Sequence, residues 1–300
     1  MAEHVCGFAA IAGRPNAGKS TLLNALVGEK VAIVAPRPQT TRTQIQGVLT
    51  EPEGQIIFVD TPGIHRSDSY FNRRMMTAVR EALDSPDVRI YVADVSRTPG
   101  EEEWQALDTL KRAHAAEPKP SILAANKIDL LDDKRLLLPV IESFQKQHPF
   151  DEFVPVSALK GDGLDDLKAT IRKHLPAGPA LFPEDYLTDQ PERYLAAEMI
   201  REQILKYTHD EIPHSVAVKV EQWEAKPNLT RIHATITVER PGQKAILIGA
   251  KGQMLKRIGV AARQQIESLT GTKVFLQLFV NVKENWRTNE AFVNELDWRT

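Results

Sequence analysis

The chain has 300 residues, 42% of them hydrophobic, with 38 Lys+Arg against 40 Asp+Glu and a net charge of −2. That length suggests two domains and enough apolar material for a sizeable core. No run of about 18 apolar residues occurs, which excludes a spanning helix, and the opening Met1-Ala2-Glu3-His4 has no basic region ahead of an apolar one, so no secretory signal is expected. A single cysteine, Cys6, sits in the first predicted strand and reads as a core residue in a reducing cytoplasm.

In chain order, the first half alternates strands and helices, as a parallel α/β sheet with helices on both faces requires. Strands are expected at Val5–Ile11, Gln44–Thr50, Gln55–Asp60, Val88–Val95, Ser121–Asn126 and Glu152–Val156. Helices are expected at Thr21–Val27, Phe71–Leu83, Glu101–Ala115, Asp132–His148 and Leu164–His174, and Lys30–Thr43 reads as a mobile loop. Prolines at 176, 179, 183 and 191 then argue against regular structure. We therefore expect a nucleotide-binding domain over residues 1–175, a linker over 176–191 and a smaller α+β domain over 192–300. In the last, helix (192–207), strand (215–223), strand (231–240), helix (243–248), tight turn, helix (253–269) and strand (273–282) follow in order, with a short helical tail.

Charge divides unevenly between the halves. Lys+Arg minus Asp+Glu is −5 for residues 1–195 and +3 for 196–300. From Arg240 to Ile266 there are six basic residues (Arg240, Lys244, Lys251, Lys256, Arg257, Arg263) and no acidic one. Such a run attracts phosphate backbones, whereas an ordinary solvated helix face mixes both signs.

The stretch Gly13-Arg14-Pro15-Asn16-Ala17-Gly18-Lys19-Ser20, followed by Thr21, fits the phosphate-binding loop, and it lies between a predicted strand and a predicted helix. Glycines let the backbone approach phosphates closely, and the loop N–H groups and helix N-terminus face the anion. Lys19 should reach the β- and γ-phosphates and the Ser20 hydroxyl should ligate Mg²⁺.

Asn126-Lys127-Ile128-Asp129 closes another strand, at the carboxyl edge where such sheets bind ligands. A carboxylate at Asp129 suits guanine, which offers two donors on one edge; facing adenine, a buried carboxylate would be left unpaired at high cost. Asn126 should bond the other guanine edge and tie down its loop, and Lys127 should lay its stem along the base. Ser157-Ala158 offers a backbone N–H to O6. Asp60-Thr61-Pro62-Gly63 closes a further strand: Asp60 should hold Mg²⁺ through water, and the Gly63 N–H should sense the γ-phosphate. Thr40 and Thr41 each offer a hydroxyl to Mg²⁺, Thr41 in preference to Thr40, with a plain polar loop as the alternative; both loops would order with GTP and release after hydrolysis. Lys19, Thr41 and Gly63 are thus the candidate catalytic positions.

These four motifs in this order resemble the translation-factor-class GTPases. Ile64 stands where Ras-like relatives carry a water-orienting Gln, which implies slow turnover without a partner. Asn16 resembles the position that ligates K⁺ in several GTPases with this hydrophobic substitution; a loop-capping role is the alternative. Arg14, Arg42 and Arg66 stand close enough in sequence to the site to be weighed as arginine fingers, but surface loops often carry Arg.

In the second half, Gly249-Ala250-Lys251-Gly252 is a G-x-x-G turn between two helices, inside helix–strand–strand–helix–helix–strand and inside the acid-free basic run. That pattern resembles the KH domain, in which the turn clamps a single-stranded backbone. Lys244, Lys251, Lys256 and Arg257 would add charge. His233 reads as sheet decoration, and Phe279, Trp286, Phe292 and Trp298 read as packing, with base stacking or lipid contact as the alternative.

A GTPase domain followed directly by this KH variant, with Phe182-Pro183-Glu184-Asp185-Tyr186 and Arg240-Pro241-Gly242-Gln243-Lys244, closely resembles a family of bacterial GTPases of small-subunit ribosome assembly. The resemblance implies GTP and GDP as ligands, and the single-stranded 3′ end of small-subunit rRNA and the small ribosomal subunit as partners. It also implies peripheral contact with the inner membrane. A monomer is the default expectation. An RNA-binding module with a structural nucleotide, and a membrane-associated signalling GTPase, are the alternatives.

Overall fold

The computed structural model describes residues 4–37, 40–63, 70–209 and 212–296. The chain divides into two compact units. The first comprises Met1–Ala32, Thr41–Ser67 and Arg74–Asp189; the second comprises Ile33–Thr40, Asp68–Arg73 and Gln190–Thr300.

The first unit is built on a six-stranded sheet. Its strands are β1 (Val5–Ala12), β2 (Ile45–Glu51), β3 (Gly54–Asp60), β4 (Val88–Asp94), β5 (Ser121–Asn126) and β6 (Glu152–Val156), in the order β2-β3-β1-β4-β5-β6. All neighbours are parallel except the edge strand β2, which runs antiparallel to β3. Every residue of β3, β4 and β5 is buried, as expected for strands covered on both faces, which therefore read as continuous apolar runs. Helices α1 (Lys19–Val27) and α5 (Leu164–Arg172) cover one face through Leu22, Leu23, Leu26, Leu167 and Ile171. Helices α2 (Tyr70–Asp84), α3 (Glu101–Ala116) and α4 (Leu137–Gln145) cover the other through Val79, Leu83, Leu107, Leu110 and Phe144.

Helix α4 is shorter than its hydrophobic pattern suggests. Pro139 fits only a first helical turn, so the helix starts at Leu137 rather than Asp132. The Asp133 carboxylate accepts from the Arg135 N–H at 2.9 Å and starts a separate single turn over Lys134–Leu136.

The Pro-rich stretch through Asp189 lies along this unit in irregular but hydrogen-bonded form. Phe182 and Tyr186 stack at 4.7 Å and pack on Cys6, Val48 and Ile57. The Gln55 amide donates to the Phe182 carbonyl at 2.9 Å and accepts from the Leu181 and Phe182 N–H groups. The Val48 N–H donates to the Leu187 carbonyl at 2.8 Å, so the open edge of β2 is covered, which blunts its tendency to pair with other chains.

The second unit carries a three-stranded sheet of β7 (Ala217–Lys226), β8 (Leu229–Val238) and β9 (Lys273–Val282), with β7 and β8 antiparallel and β8 and β9 parallel. Helices α6 (Glu192–Tyr207), α8 (Pro241–Ile248) and α9 (Gln253–Thr270) bury Ile200, Ile204, Leu247, Ile258 and Ile266 against Ile232, Ala234 and Ile236. A short helix α7 (Ile212–Ser215) precedes β7, where the sequence pattern suggests strand from Ser215, and α10 (Glu290–Glu295) forms the tail. Trp286, expected as packing, is fully buried, and its indole N–H donates to the Ser215 carbonyl at 2.8 Å. Among the described residues no helix is long and apolar enough to cross a membrane.

Candidate functional site: a phosphate loop and an open basic groove

The loop Gly13–Gly18 joins β1 to α1 in a backbone that needs its glycines. Gly13 has φ +146°, and a Cβ there would lie 2.5 Å from the Val92 carbonyl. Gly18, at φ +100°, caps α1, and a Cβ would collide with the Asn126 amide nitrogen. Asn16 itself is left-handed at φ 61°, a conformation Asn tolerates. Lys19 is buried and donates to the Gly13 and Arg14 carbonyls at 3.1 and 3.0 Å, curling over the loop. Burial pushes its ammonium down to about 8.

Beside it, the Ser20 and Thr41 hydroxyls lie 2.6 Å apart, and the Ser20 hydroxyl donates to Asp60 Oδ2 at 2.8 Å. Thr41 reaches the same oxygen at 3.4 Å. Asp60 is fully buried, its second oxygen Oδ1 has no hydrogen-bond partner, and burial pushes the carboxyl up to about 6. Thr40 turns elsewhere, its hydroxyl donating to the Arg37 carbonyl at 2.6 Å. Next to Asp60, the Thr61 hydroxyl donates to the Ile11 carbonyl at 2.9 Å, and Pro62 is buried. Gly63 is buried too, so close to Pro15 that a Cβ would lie 2.8 Å from the Pro15 Cα. Thr21 continues α1, half-buried. Ile64, Arg66 and Trp298 lie outside the described residues.

The base loops are tied to the phosphate loop through one side chain. Asn126 donates to the Ala17 carbonyl at 2.9 Å and accepts from the Ala158 N–H at 3.0 Å. The Ala158 N–H is thus engaged by Asn126 rather than presented as an open donor for O6. Asp129 is exposed, not buried; the Ser157 hydroxyl donates to it at 2.6 Å and fixes its direction. Burial of this carboxylate is left to whatever base it meets.

One feature was not visible in the sequence. Arg14 is 4% exposed and locked, donating to Glu103 at 2.7 Å and Asp94 at 3.0 Å. Asp94 also accepts from Lys127 at 2.7 Å, and Lys127 donates to the Asn16 carbonyl at 2.9 Å. The Tyr91 hydroxyl completes the set on Glu103 at 2.7 Å. These bonds join the phosphate loop, β4, α3 and the base loop, and hold Arg14 as an anchor rather than a mobile finger. Arg42 is also buried.

In the second unit the G-x-x-G turn is equally specific. Gly249 has φ +69°, and a Cβ would lie 2.7 Å from Met254 Cβ; Gly252 has φ +77° with open space around it. Lys251 is left-handed at φ 50° and exposed, as is Ala250. A groove of about 520 Å³ runs from Gly252 between α9 and β9, lined by Leu255, Lys256, Gly259, Arg263 and Phe275 among others. Lys256 and Arg263 bring charge to it. Arg257 instead lies over the Tyr207 ring at 4.1 Å, and Lys244 sits half-buried on α8, outside the lining. Arg263 was legible as part of the basic run; its alignment with Gly252, Lys256 and Gly259 along one face of α9 follows from helical spacing.

Fold and site together define a P-loop GTPase unit followed by a KH unit. A family model described as a 50S ribosome-binding GTPase matches residues 8–127, and a KH domain model matches residues 211–287. GTPase Era of Geobacter metallireducens is 47% identical over 294 residues, covering 97% of each chain. GTPase Era of Lacticaseibacillus paracasei is 45% identical over 305 residues, covering 100% of this chain and 99% of its own. A crystal structure of Era with MgGDPNP and nucleotides 1506–1542 of 16S ribosomal RNA matches with TM-score 0.93 and 41% identity over 98% of both chains. A variant of Aquifex aeolicus Era bound to GDP·AlF4⁻ matches with TM-score 0.93 and 40% identity, covering 97% and 98%. The chain belongs to the Era family of GTPases.

Proposed function

We propose that this GTPase is a GTP-controlled RNA-binding factor of small-subunit ribosome assembly, holding the single-stranded 3′ end of small-subunit rRNA in the groove beside Gly252. The observation that carries this reading is the meeting of Ser20, Thr41 and Asp60 beneath the phosphate loop, at the carboxyl edge of the sheet that also carries Asn126 and Ser157. The relative with 16S rRNA supports the RNA partner.

The donor set fits Mg²⁺: two hydroxyls and a carboxylate are hard oxygen ligands, and a buried carboxylate with an orphaned oxygen is expensive unless a cation compensates it. When bound, Mg²⁺ neutralises charge on the phosphates. In this reading Ser20 and Thr41 hold it directly and Asp60 through water. Lys19 turns from the loop carbonyls to the β- and γ-phosphates, the Gly63 N–H meets the γ-phosphate, and the rest of Gly13–Thr21, Asp60–Ile64, Asn126, Lys127, Ser157 and Ala158 surround the nucleotide. Asp129 takes the guanine N1–H and N2 donors. Asn16 adds a K⁺ site.

Residues 1–175 act as the GTPase part and 192–300 as the RNA-binding part. Control by nucleotide follows from chain continuity. Thr41 bonds within the first unit, and its neighbour Thr40 belongs to the second, where its carbonyl accepts from Arg201. A γ-phosphate that fixes Thr41 thereby acts on a segment shared with the RNA-binding part. We place the protein in the cytoplasm as a monomer, with peripheral contact at the inner membrane; sedimentation and vesicle flotation check these two points. The defining experiment measures affinity for the 3′-end RNA with GTP, with GDP and without nucleotide. Different affinities are expected, and identical ones would refute the switch.

A further inference from the structure

We propose a second single-stranded RNA subsite on the sheet face of the second unit that turns away from its helices, where Phe275 and Phe279 stack bases and Arg231 and Lys273 meet phosphates. It rests on the RNA-binding reading and extends it beyond the groove.

Strand β9 alternates. Val274, Leu276, Leu278 and Val280 point into the core with Ile232, Ala234 and Ile236 of β8. Successive strand residues point to opposite faces, so Lys273, Phe275, Gln277, Phe279 and Asn281 point away from it. Both phenylalanines are half exposed, at 51% and 50%. Two rings four residues apart on one strand stand about 13 Å apart, with room for a base between them over Gln277. A sheet face carrying aromatic rings is a proven base-stacking platform, because every base offers a π-face.

The flanking residues decide what this face fits. The parallel register sets Arg231 beside Phe275, His233 beside Gln277 and Thr235 beside Phe279. No outward residue of β8 or β9 in this patch is acidic. Arg231 and Lys273 take part in no ion pair among the described residues. Glu224 of β7 stands opposite Arg231 in the register, but it is taken by Lys226 at 3.1 Å, and Lys219 meets Glu295 and Glu221. An apolar pair flanked by Lys273 and by Arg231, neither held in an ion pair among the described residues, suits a chain with bases and phosphates better than a neutral protein surface. Continuity points the same way, since Phe275 and Gln277 also line the groove that starts at Gly252. A strand leaving the groove therefore passes onto this face.

The test uses fluorescence anisotropy with two RNAs on the full chain. One is about four nucleotides long, the length a KH turn clamps, and the other carries about eight further nucleotides at either end. Phe279 lies outside the groove lining, and its exposure lets substitutions leave the fold intact. Phe279→Ala is expected to weaken the extended RNA about 5- to 100-fold while leaving the short one unchanged, with Phe279→Tyr restoring affinity. Arg231→Ala is expected to weaken the extended RNA and flatten its salt dependence. Extended-RNA affinity unchanged in both alanine variants overturns the subsite. So does Phe279→Leu binding like the unaltered chain, since stacking needs the ring, and so does equal weakening of both RNAs. If the unaltered protein binds neither RNA, the RNA-binding reading itself fails instead. Loss of binding to anionic lipid vesicles in Phe279→Ala, with extended-RNA affinity intact, would give the face to a membrane.

Discussion

The two binding regions solve the problem of holding an anion in opposite ways. Around the phosphate loop the charges are buried and already bonded: Lys19 on loop carbonyls, Arg14 between Asp94 and Glu103, Ser20 on Asp60. In the groove beside Gly252 the cations Lys256 and Arg263 are exposed, as is Lys251 in the turn at its end. Buried, pre-bonded groups reject a wrong partner strongly, because a mismatch leaves something unpaired. Exposed cations give affinity that tolerates sequence and fades with salt. On the proposed reading, the phosphate loop is built to hold one anion tightly and the groove to capture a flexible strand.

The base end departs from this contrast, since Asp129 is exposed until a base covers it, and it offers the sharpest test. Asp129→Asn should lower GTP affinity by ~100-fold or more and shift preference toward xanthosine nucleotides, since the base edges no longer match. Nucleotide competition measures it, and retained preference for GTP would contradict the assignment. The largest stability effect is expected at Arg14. Arg14→Met leaves Glu103 buried without its cation, while Asp94 keeps Lys127, and should destabilise the first unit by about 3–5 kcal/mol in denaturant unfolding. A loss below about 1 kcal/mol would make the network an incidental surface feature.

The two glycines of the turn separate structure from function. Gly252→Asp meets no neighbour but must take a left-handed backbone at φ +77°, which Asp tolerates better than most residues, so it should cost about 1 kcal/mol of stability, keep GTP binding, and weaken RNA at least tenfold by adding a repelling charge. Gly249→Ala should instead lower the melting temperature, because its Cβ meets Met254. Unchanged RNA affinity in Gly252→Asp would move the site elsewhere.

His148 adds a pH dependence to the first unit. It is buried, bonded to the Ser121 hydroxyl at 3.1 Å, and burial followed by the nearby His114 pushes it down to about 4. An unfolded His titrates near 6.5, so between about pH 6.5 and 4 the unfolded chain binds more protons and stability falls as pH falls. The loss should be about 1–3 kcal/mol, seen as a falling melting temperature that His148→Asn flattens. The smallest effect is expected at Lys251: Lys251→Ala should reduce the salt slope of RNA binding by about 0.7, the value for one phosphate contact on a single strand.

Much of this was legible in the sequence because the relevant signals are local. Strands β5, β6 and β9 and helix α6 begin and end where apolar runs, prolines and motif residues place them. The glycines of both turns are tied to positive φ, which a G-rich string announces. The features that the sequence does not show depend on distant pairs. Arg14 finds Asp94 and Glu103, 80 and 89 residues away in the chain, and nothing in a loop motif announces such partners. The Ala158 N–H looked free to meet a base because its bond to Asn126 spans 32 residues. The exposure of Asp129 and of Phe279 likewise depends on which neighbours the fold supplies.

On the proposed reading the nucleotide and RNA halves form one switch. The most direct test is GTP turnover in K⁺ buffer, with and without a single-stranded RNA copy of the small-subunit rRNA 3′ end, repeated with Na⁺ in place of K⁺. Slow basal turnover is expected, with a clear rise on adding RNA and a further dependence on K⁺ through Asn16. Turnover that is the same with and without demonstrably bound RNA would contradict the switch.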